Sequence, residues 1–203
     1  MRRMRAALAS LAIVCVALQS GCAKLKEGFQ SFGGSSPRHL DSSPDTVGLL
    51  IVHAPMRHKG SLSFGIGSSI SLDGALLVRA DTDVAIQENS VKDLVLFQLR
   101  PATYHMVAVR GSFRSGNFEH HLVAPLDSLV GPIDIVAGQI TYVGRLTVTG
   151  HSAIGRGGFT YTYEWDRDPS REAEALSIVA DRYKKSPWIP MLQRRLAVLP
   201  PRP

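Results

Sequence analysis

The stretch Phe159-Thr160-Tyr161-Thr162-Tyr163-Glu164-Trp165 alternates large aromatic residues with polar ones. Neighbouring side chains on a β-strand point to opposite faces, so this period of two predicts a strand with its four aromatic residues on one face. We expect that face to be buried against a core. An exposed platform on which a ligand stacks, formed by Tyr161 and Trp165, has the same pattern and is the second interpretation.

Short apolar and β-branched runs also precede this strand. They are Val47 to His53, Leu62 to Ile66, Ala75 to Arg79, Leu94 to Leu99, Tyr104 to Arg110, His121 to Ala124, Ile133 to Val136 and Ile140 to Thr149. Turns are predicted at Asp73-Gly74, Arg100-Pro101 and Ala137-Gly138, and a polar stretch, Arg57 to Gly60, follows Pro55. This spacing is typical of an antiparallel sandwich, and no long helical pattern suggests a parallel α/β sheet. The sequence therefore predicts a mainly β protein, an antiparallel immunoglobulin/transthyretin-like sandwich, over residues 46–166.

A helical pattern follows the last strand. Asp168-Pro169 predicts an N-cap and a proline at the first helical position, and apolar residues then recur at helical spacing for about fourteen residues. A second short helix is predicted from Met191 to Leu196. Residues 167–203 are thus interpreted as a C-terminal helical extension. Its candidate partner-binding residues are Tyr183, Trp188, Arg194 and Arg195.

The N-terminal residues have the pattern of a bacterial export signal. Three arginines precede an apolar stretch from Ala6 to Leu18, which is too short to span a bilayer. The following Leu18-Gln19-Ser20-Gly21-Cys22 resembles the lipobox of bacterial lipoproteins, although Gln19 stands where that family usually has an apolar residue. The alternative is an ordinary secretory signal peptide that is cut at a nearby small residue.

The lipobox resemblance implies cleavage after residue 21 and acylation of Cys22 with diacylglyceryl and a fatty acid such as palmitate. Ala23, where an aspartate would favour the inner membrane, implies the periplasmic face of the outer membrane. Cys15 leaves with the signal peptide of residues 1–21, so the mature chain cannot form an intramolecular disulfide. Residues 22–45 are rich in Ser, Gly, Lys and Pro and are interpreted as a flexible tether.

Charge is distributed unevenly along the mature chain. Removal of residues 1–21 leaves 20 basic residues against 17 acidic ones, so little of the formal net charge of +6 remains to favour nucleic acid. Six basic residues and one acidic residue fall within residues 181–203. They form either a solvated helix face or a surface for anionic lipid or an acidic partner.

The segment Leu99-Arg100-Pro101-Ala102-Thr103-Tyr104 resembles a corner of transthyretin-like and carboxypeptidase-regulatory-like sandwiches. Val136 to Gly144 is similar to a later strand entry in poorly characterised lipoproteins of that build. In such a corner the proline fixes φ, and the tyrosine hydroxyl caps local backbone. The resemblance implies a sandwich and supplies no catalytic residue, although Ala102 replaces the usual glycine.

No motif in the sequence predicts a cofactor, a metal site or a catalytic centre. The adjacent His120 and His121 would point to opposite faces of a strand, and Asp81 and Asp83 lack the spacing of an EF-hand. Gly65-Ile66-Gly67-Ser68-Ser69 is not a nucleophile elbow. We therefore expect a non-enzyme.

Two functions from different classes remain open. The first is a membrane-anchored lipoprotein that acts as a non-enzymatic binding or structural module, with an envelope protein or cell-wall component as its partner. The second is a carbohydrate-binding or small-molecule-binding module, with a hydrolase as a more remote variant.

Overall fold

The computed structural model describes residues 40–59, 70–115, 117–126, 129–152 and 159–200. Ten strands and two helices lie within these ranges. The strands are β1 (Gly48–His53), β2 (Met56–Lys59), β3 (Ser71–Arg79), β4 (Ala85–Val91), β5 (Leu94–Leu99), β6 (Ala102–Ser115), β7 (Phe118–Pro125), β8 (Ile133–Ile135), β9 (Ile140–Ser152) and β10 (Phe159–Asp166). The helices are α1 (Pro169–Arg182) and α2 (Ile189–Val198). The prediction of a mainly β protein with C-terminal helices is confirmed.

The strands form one curled sheet in the order β10-β9-β1-β5-β4-β3-β6-β7, with β2 paired to β9 and β8 to β6. β1 and β2 both run parallel to β9, whereas the other pairings between described strands are antiparallel. The sheet is therefore mixed, and the expectation of a purely antiparallel sheet is wrong. β1 and β9 are far apart in sequence, so no hairpin turn requires them to be antiparallel.

An inner core fills the concave side of the curled sheet. The residues of β1 alternate between two cores, with Leu50 and Val52 pointing into this one. The inner core also contains the buried side chains of Phe97, Met106 and Leu122. Tyr161, Tyr163 and Trp165 of β10 are partly buried and pack against the inner core, so the prediction for the aromatic face of this strand is confirmed in part, for these three residues.

An outer core lies between the convex side of the sheet and the two helices. Leu49 and Ile51 of β1 are fully buried there, together with Leu94 and Leu96 of β5. The helices cover them with Ala175, Leu176, Val179, Tyr183, Trp188 and Leu192. All six residues of β1 are consequently buried, which explains why this strand reads as a continuous apolar run.

Tyrosine hydroxyl groups connect the two outermost strands of the curled sheet. The hydroxyl of Tyr163 on β10 donates a 2.7 Å hydrogen bond to the backbone oxygen of Pro125 on β7. Tyr161 makes a hydrogen bond with the backbone of Val123, also on β7. These bonds bring together two strand edges that would otherwise be unpaired.

Two strands were not predicted from the sequence. β4, with the sequence Ala-Ile-Gln-Glu-Asn-Ser-Val, is mostly polar and half-buried, and β2 contains Arg57-His58, which belongs to the polar stretch after Pro55. Asp73-Gly74 is not a turn, because it lies inside β3 where the pairing with β6 shifts register. The predicted strand from Leu62 to Ile66 lies outside the described residues.

The corner between β5 and β6 has the predicted tyrosine bond. The hydroxyl of Tyr104 donates a 2.9 Å hydrogen bond to the backbone oxygen of Arg100, at the turn that contains Pro101. Tyr104 is buried, and its burial raises the pKa of the phenol. The bond fixes the start of β6 against the end of β5.

Candidate functional site

A groove of about 450 Å³ opens where β9 and β10 meet the start of α1. Residues from the segment before β8 and from β8 itself form its other side. Its aromatic, charged and hydroxyl-bearing side chains include Asp134, Tyr142, Trp165, Arg167, Asp168 and Glu172. An indole beside several carboxylates suits a small polar ligand with hydroxyl or amino groups.

Trp165 occupies a fixed position in the groove wall. Its indole nitrogen donates a 2.7 Å hydrogen bond to the backbone oxygen of Val143 on β9. The next residue, Gly144, has φ +99°, and a Cβ there would lie 3.0 Å from both Trp165 Cδ1 and the backbone oxygen of Asp166. Position 144 therefore requires glycine, because the backbone has a positive φ and the indole of Trp165 leaves no room for a side chain there.

Arg167 lies over the ring of Trp165, with its guanidinium carbon 4.0 Å from the ring centroid. This is a cation–π contact, and the arginine is exposed. A ligand that stacks on this face of the indole would have to displace Arg167.

The three carboxylates of the groove each have a partner within the protein. Asp134 accepts a 2.6 Å hydrogen bond from the hydroxyl of Thr103. Asp168 caps α1 by accepting from the backbone nitrogen of Ser170 at 2.8 Å, as the sequence predicted. This bond lowers the pKa of Asp168 and keeps it ionised.

Glu172, the third carboxylate, is largely buried and binds Arg195 of α2. Two guanidinium nitrogens of Arg195 donate to the carboxylate of Glu172: Nε lies 2.9 Å from Oε1, and Nη2 lies 3.3 Å from Oε2. The pair joins the two helices and neutralises this end of the groove.

Tyr142 connects the groove to a buried histidine behind it. The Tyr142 hydroxyl lies 3.4 Å from Nδ1 of His53 on β1. Burial, and secondarily the Arg145 guanidinium, lowers the pKa of His53 to about 4. Burial also raises the pKa of Tyr142. Both side chains are consequently uncharged near neutral pH, and His53 does not line the groove.

The two residues proposed for ligand stacking do not form one platform. Trp165 lines the groove, whereas Tyr161 does not and instead contacts β7. Sequence periodicity placed both on one face of β10, but it could not show that Tyr161 bonds to the backbone of β7.

The four candidate partner-binding residues have different surroundings. Trp188 and Tyr183 are buried in the outer core, so their side chains are not available to a partner in this structure. Arg195 binds Glu172, and Arg194 is exposed. The lipidation candidate, Cys22, lies outside the described residues.

His120, His121 and Asp81, three of the residues considered for metals, are engaged in other contacts. His120 stacks on Phe113, with ring centroids 4.8 Å apart, and His121 lies 3.8 Å from Asp73. Asp81 pairs with Arg79 at 2.8 Å. Within the part of the chain that the structure describes, no three His, Cys, Asp or Glu side chains are grouped so as to hold a metal ion.

Sequence reasoning did not single out Asp134, Tyr142, Arg167 or Glu172 as site residues. They come from four separate elements or loops, and no short motif contains them. The groove residues that the sequence analysis named in this region besides Trp165 were Asp168 and Pro169, which were interpreted as the N-cap and first position of a helix.

No family model matches the chain, and no curated protein matches it. Among solved structures, a leucine-rich repeat protein from Bacteroides thetaiotaomicron aligns with 11% identity and a TM-score of 0.34. The alignment covers 67% of this chain but 16% of that protein. Neither helix in the described ranges is long and apolar enough to cross a membrane.

Proposed function

We propose that this chain is a lipid-anchored lipoprotein of the bacterial cell envelope, and that its folded domain is a non-enzymatic binding or structural module. The observation on which the proposal depends is the export signal that ends in Ser20-Gly21-Cys22. Acylated Cys22 would attach the protein to the periplasmic face of the outer membrane. Two or three acyl chains suffice for stable anchoring, whereas a single chain binds only marginally.

Metabolic labelling with an alkyne-tagged fatty acid tests the anchor. Wild-type protein should incorporate the label and fractionate with membranes, and Cys22→Ala should do neither. Cys15→Ala is the matched control, because it removes the other cysteine and should leave labelling unchanged. Equal labelling of Cys22→Ala and wild type would exclude the proposed anchor.

An envelope protein or cell-wall component is the proposed partner, and the outer side of α2 is the surface that we propose for it. Gln193, Arg194 and Ala197 are exposed there, and Val198 is 76% exposed. Crosslinking in cells, followed by purification and mass spectrometry, should recover one specific partner. Arg194→Glu should reduce its recovery, whereas the control Arg114→Glu, at an exposed position on β6, should not.

The second candidate function, binding of a carbohydrate or small molecule, is favoured by the groove beside Trp165. A ligand with several hydroxyl groups could contact the indole of Trp165, Arg167 and Asp134 at the same time. Peptidoglycan and lipopolysaccharide fragments should then change the fluorescence of Trp165, because Trp188, the other tryptophan, is fully buried. Asp134→Asn should weaken the response, and flat titrations with every fragment would reject this function. A hydrolase remains a remote variant.

A relationship to transthyretin-like sandwiches is also proposed for the fold. The hydrogen bond from Tyr104 to the Arg100 backbone supports it, while the parallel pairing of β1 with β9 differs from an antiparallel sandwich. An experimental structure that superposes on such sandwiches across both faces would support the relationship, and a poor superposition would reject it.

A further inference from the structure

Three exposed cations lie at the end of α1 and in the turn that follows it, beside Leu40. Arg182, Lys184 and Lys185 line a depression of about 320 Å³ together with Leu40 and Asp41. Asp181 is exposed nearby, so five charged groups leave a net positive charge at this turn. We name Arg182, Lys184 and Lys185 the basic turn.

Hydrogen bonds fix the segment that leads into β1 to the residues directly after the basic turn. Ser186 donates from its hydroxyl to the backbone oxygen of Leu40 at 2.6 Å, and Leu40 is 1% exposed. The indole nitrogen of Trp188 donates to the backbone oxygen of Ser42 at 3.1 Å. A membrane anchor upstream of Leu40 would therefore be joined to the folded domain beside the basic turn.

The length of the upstream segment limits how far the basic turn can lie from the lipidation site. Residues 23–39 separate Cys22 from Leu40, and even a fully extended chain of that length spans at most about 60 Å. For comparison, a random-coil chain of about this length has an r.m.s. end-to-end distance of roughly 20–25 Å. Lys24, Lys26 and Arg38 fall in the same segment and outnumber its one acidic residue, Glu27.

We propose that the basic turn docks on the anionic phospholipid surface to which Cys22 anchors the protein, and so orients the domain on the membrane. The orientation of the domain depends on the proposed lipid anchor at Cys22, whereas the attraction of the basic turn to anionic lipid does not. Each Lys or Arg near an anionic leaflet contributes to binding, but the attraction falls off within a Debye length. A membrane anchor whose chain joins the domain beside the basic turn would keep these cations close to the lipid surface.

A vesicle assay without the lipid anchor tests the docking surface separately. The chain from residue 22 with Cys22→Ser contains every described residue and cannot be acylated. It should cosediment with vesicles of phosphatidylethanolamine and phosphatidylglycerol in equal parts. It should not bind vesicles in which phosphatidylcholine replaces phosphatidylglycerol, and added salt should release it.

The matched variants differ only in where three positive charges are removed. Arg182→Gln, Lys184→Gln and Lys185→Gln together should weaken vesicle binding by about a hundredfold, at about fivefold per charge. The control Arg57→Gln, Arg100→Gln and Arg114→Gln removes the same charge from exposed positions on or beside β2, β5 and β6 and should bind like the parent. Equal losses in both variants would overturn the proposal, as would binding to polyglutamate without binding to anionic vesicles. Because Cys22 is absent throughout, a failure here is distinguishable from a failure of the fatty-acid labelling.

Discussion

Trp188 donates a 3.1 Å hydrogen bond from its indole nitrogen to the backbone oxygen of Ser42, which joins the turn before α2 to the segment that leads into β1. Trp188 is fully buried, and its backbone nitrogen donates a 3.1 Å hydrogen bond to the hydroxyl oxygen of Ser186. The C-terminal helices are therefore part of the core that covers β1 and β5, and not a detachable extension.

Trp188→Ala should lower the free energy of unfolding by about 3–5 kcal/mol, because it removes the largest side chain of the outer core. Denaturant unfolding monitored by circular dichroism measures this. Val198→Ala, at a position that is 76% exposed, should stay within about 0.5 kcal/mol of wild type. Similar midpoints for both variants would show that the helices do not pack on the sheet as described.

Gly144→Ala should destabilise the protein by about 2 kcal/mol, since alanine tolerates φ +99° poorly and its Cβ would clash with the indole of Trp165. The matched control is Gly131→Ala, where an added Cβ meets no atom within 4 Å. Thermal unfolding of the two variants gives the comparison. A Gly144→Ala protein as stable as the control would contradict the positioning of Trp165 against Gly144.

The buried His53 should make stability depend on pH. Its folded pKa of about 4 lies below its unfolded value of about 6.5, so between these values the unfolded chain binds a proton that the folded chain does not. The free energy of unfolding should therefore rise with pH across this window, by about 3 kcal/mol in total, and be fully present above it. Below about pH 4 both states are protonated and the contribution is lost.

Denaturant unfolding at several values between pH 4 and 7 measures this dependence. His53→Gln should flatten the slope, and His105→Gln, which changes an exposed histidine on β6, should keep it. A wild-type slope in His53→Gln would assign the pH dependence to other groups.

Arg195 and its neighbour Arg194 provide a test of the contact between the helices. Arg195→Ala leaves the largely buried Glu172 carboxylate without its bidentate partner and should cost about 1 kcal/mol. Arg194→Ala, which removes an exposed arginine, should cost less than about 0.5 kcal/mol. Chemical denaturation at neutral pH would detect the difference, and equal stabilities would argue against the ion pair.

Local patterns predicted the elements whose periodicity or capping is strong. The aromatic alternation from Phe159 to Trp165 gave β10, and Asp168-Pro169 gave the start of α1. β4 was missed because its half-buried residues are mostly polar, so it has no apolar alternation. Asp73-Gly74 was misread as a turn, because the same two residues also suit a register shift within a long strand.

Long-range relationships could not be predicted from one sequence. The parallel pairing of β1 with β9 and the bond from Tyr163 to Pro125 depend on how the whole sheet curls. The groove likewise combines Asp134, Tyr142 and Trp165 from three different strands. Tyr183 and Trp188 were candidate partner contacts, whereas in the structure they are core contacts of the C-terminal segment.

The intact mass of the mature protein, extracted from membranes with detergent, tests the central claim most directly. We expect a chain that begins at Cys22 and carries the added mass of a diacylglyceryl group and an amide-linked fatty acid. A chain with an unmodified cysteine, or one cut at another residue, would contradict the lipid anchor.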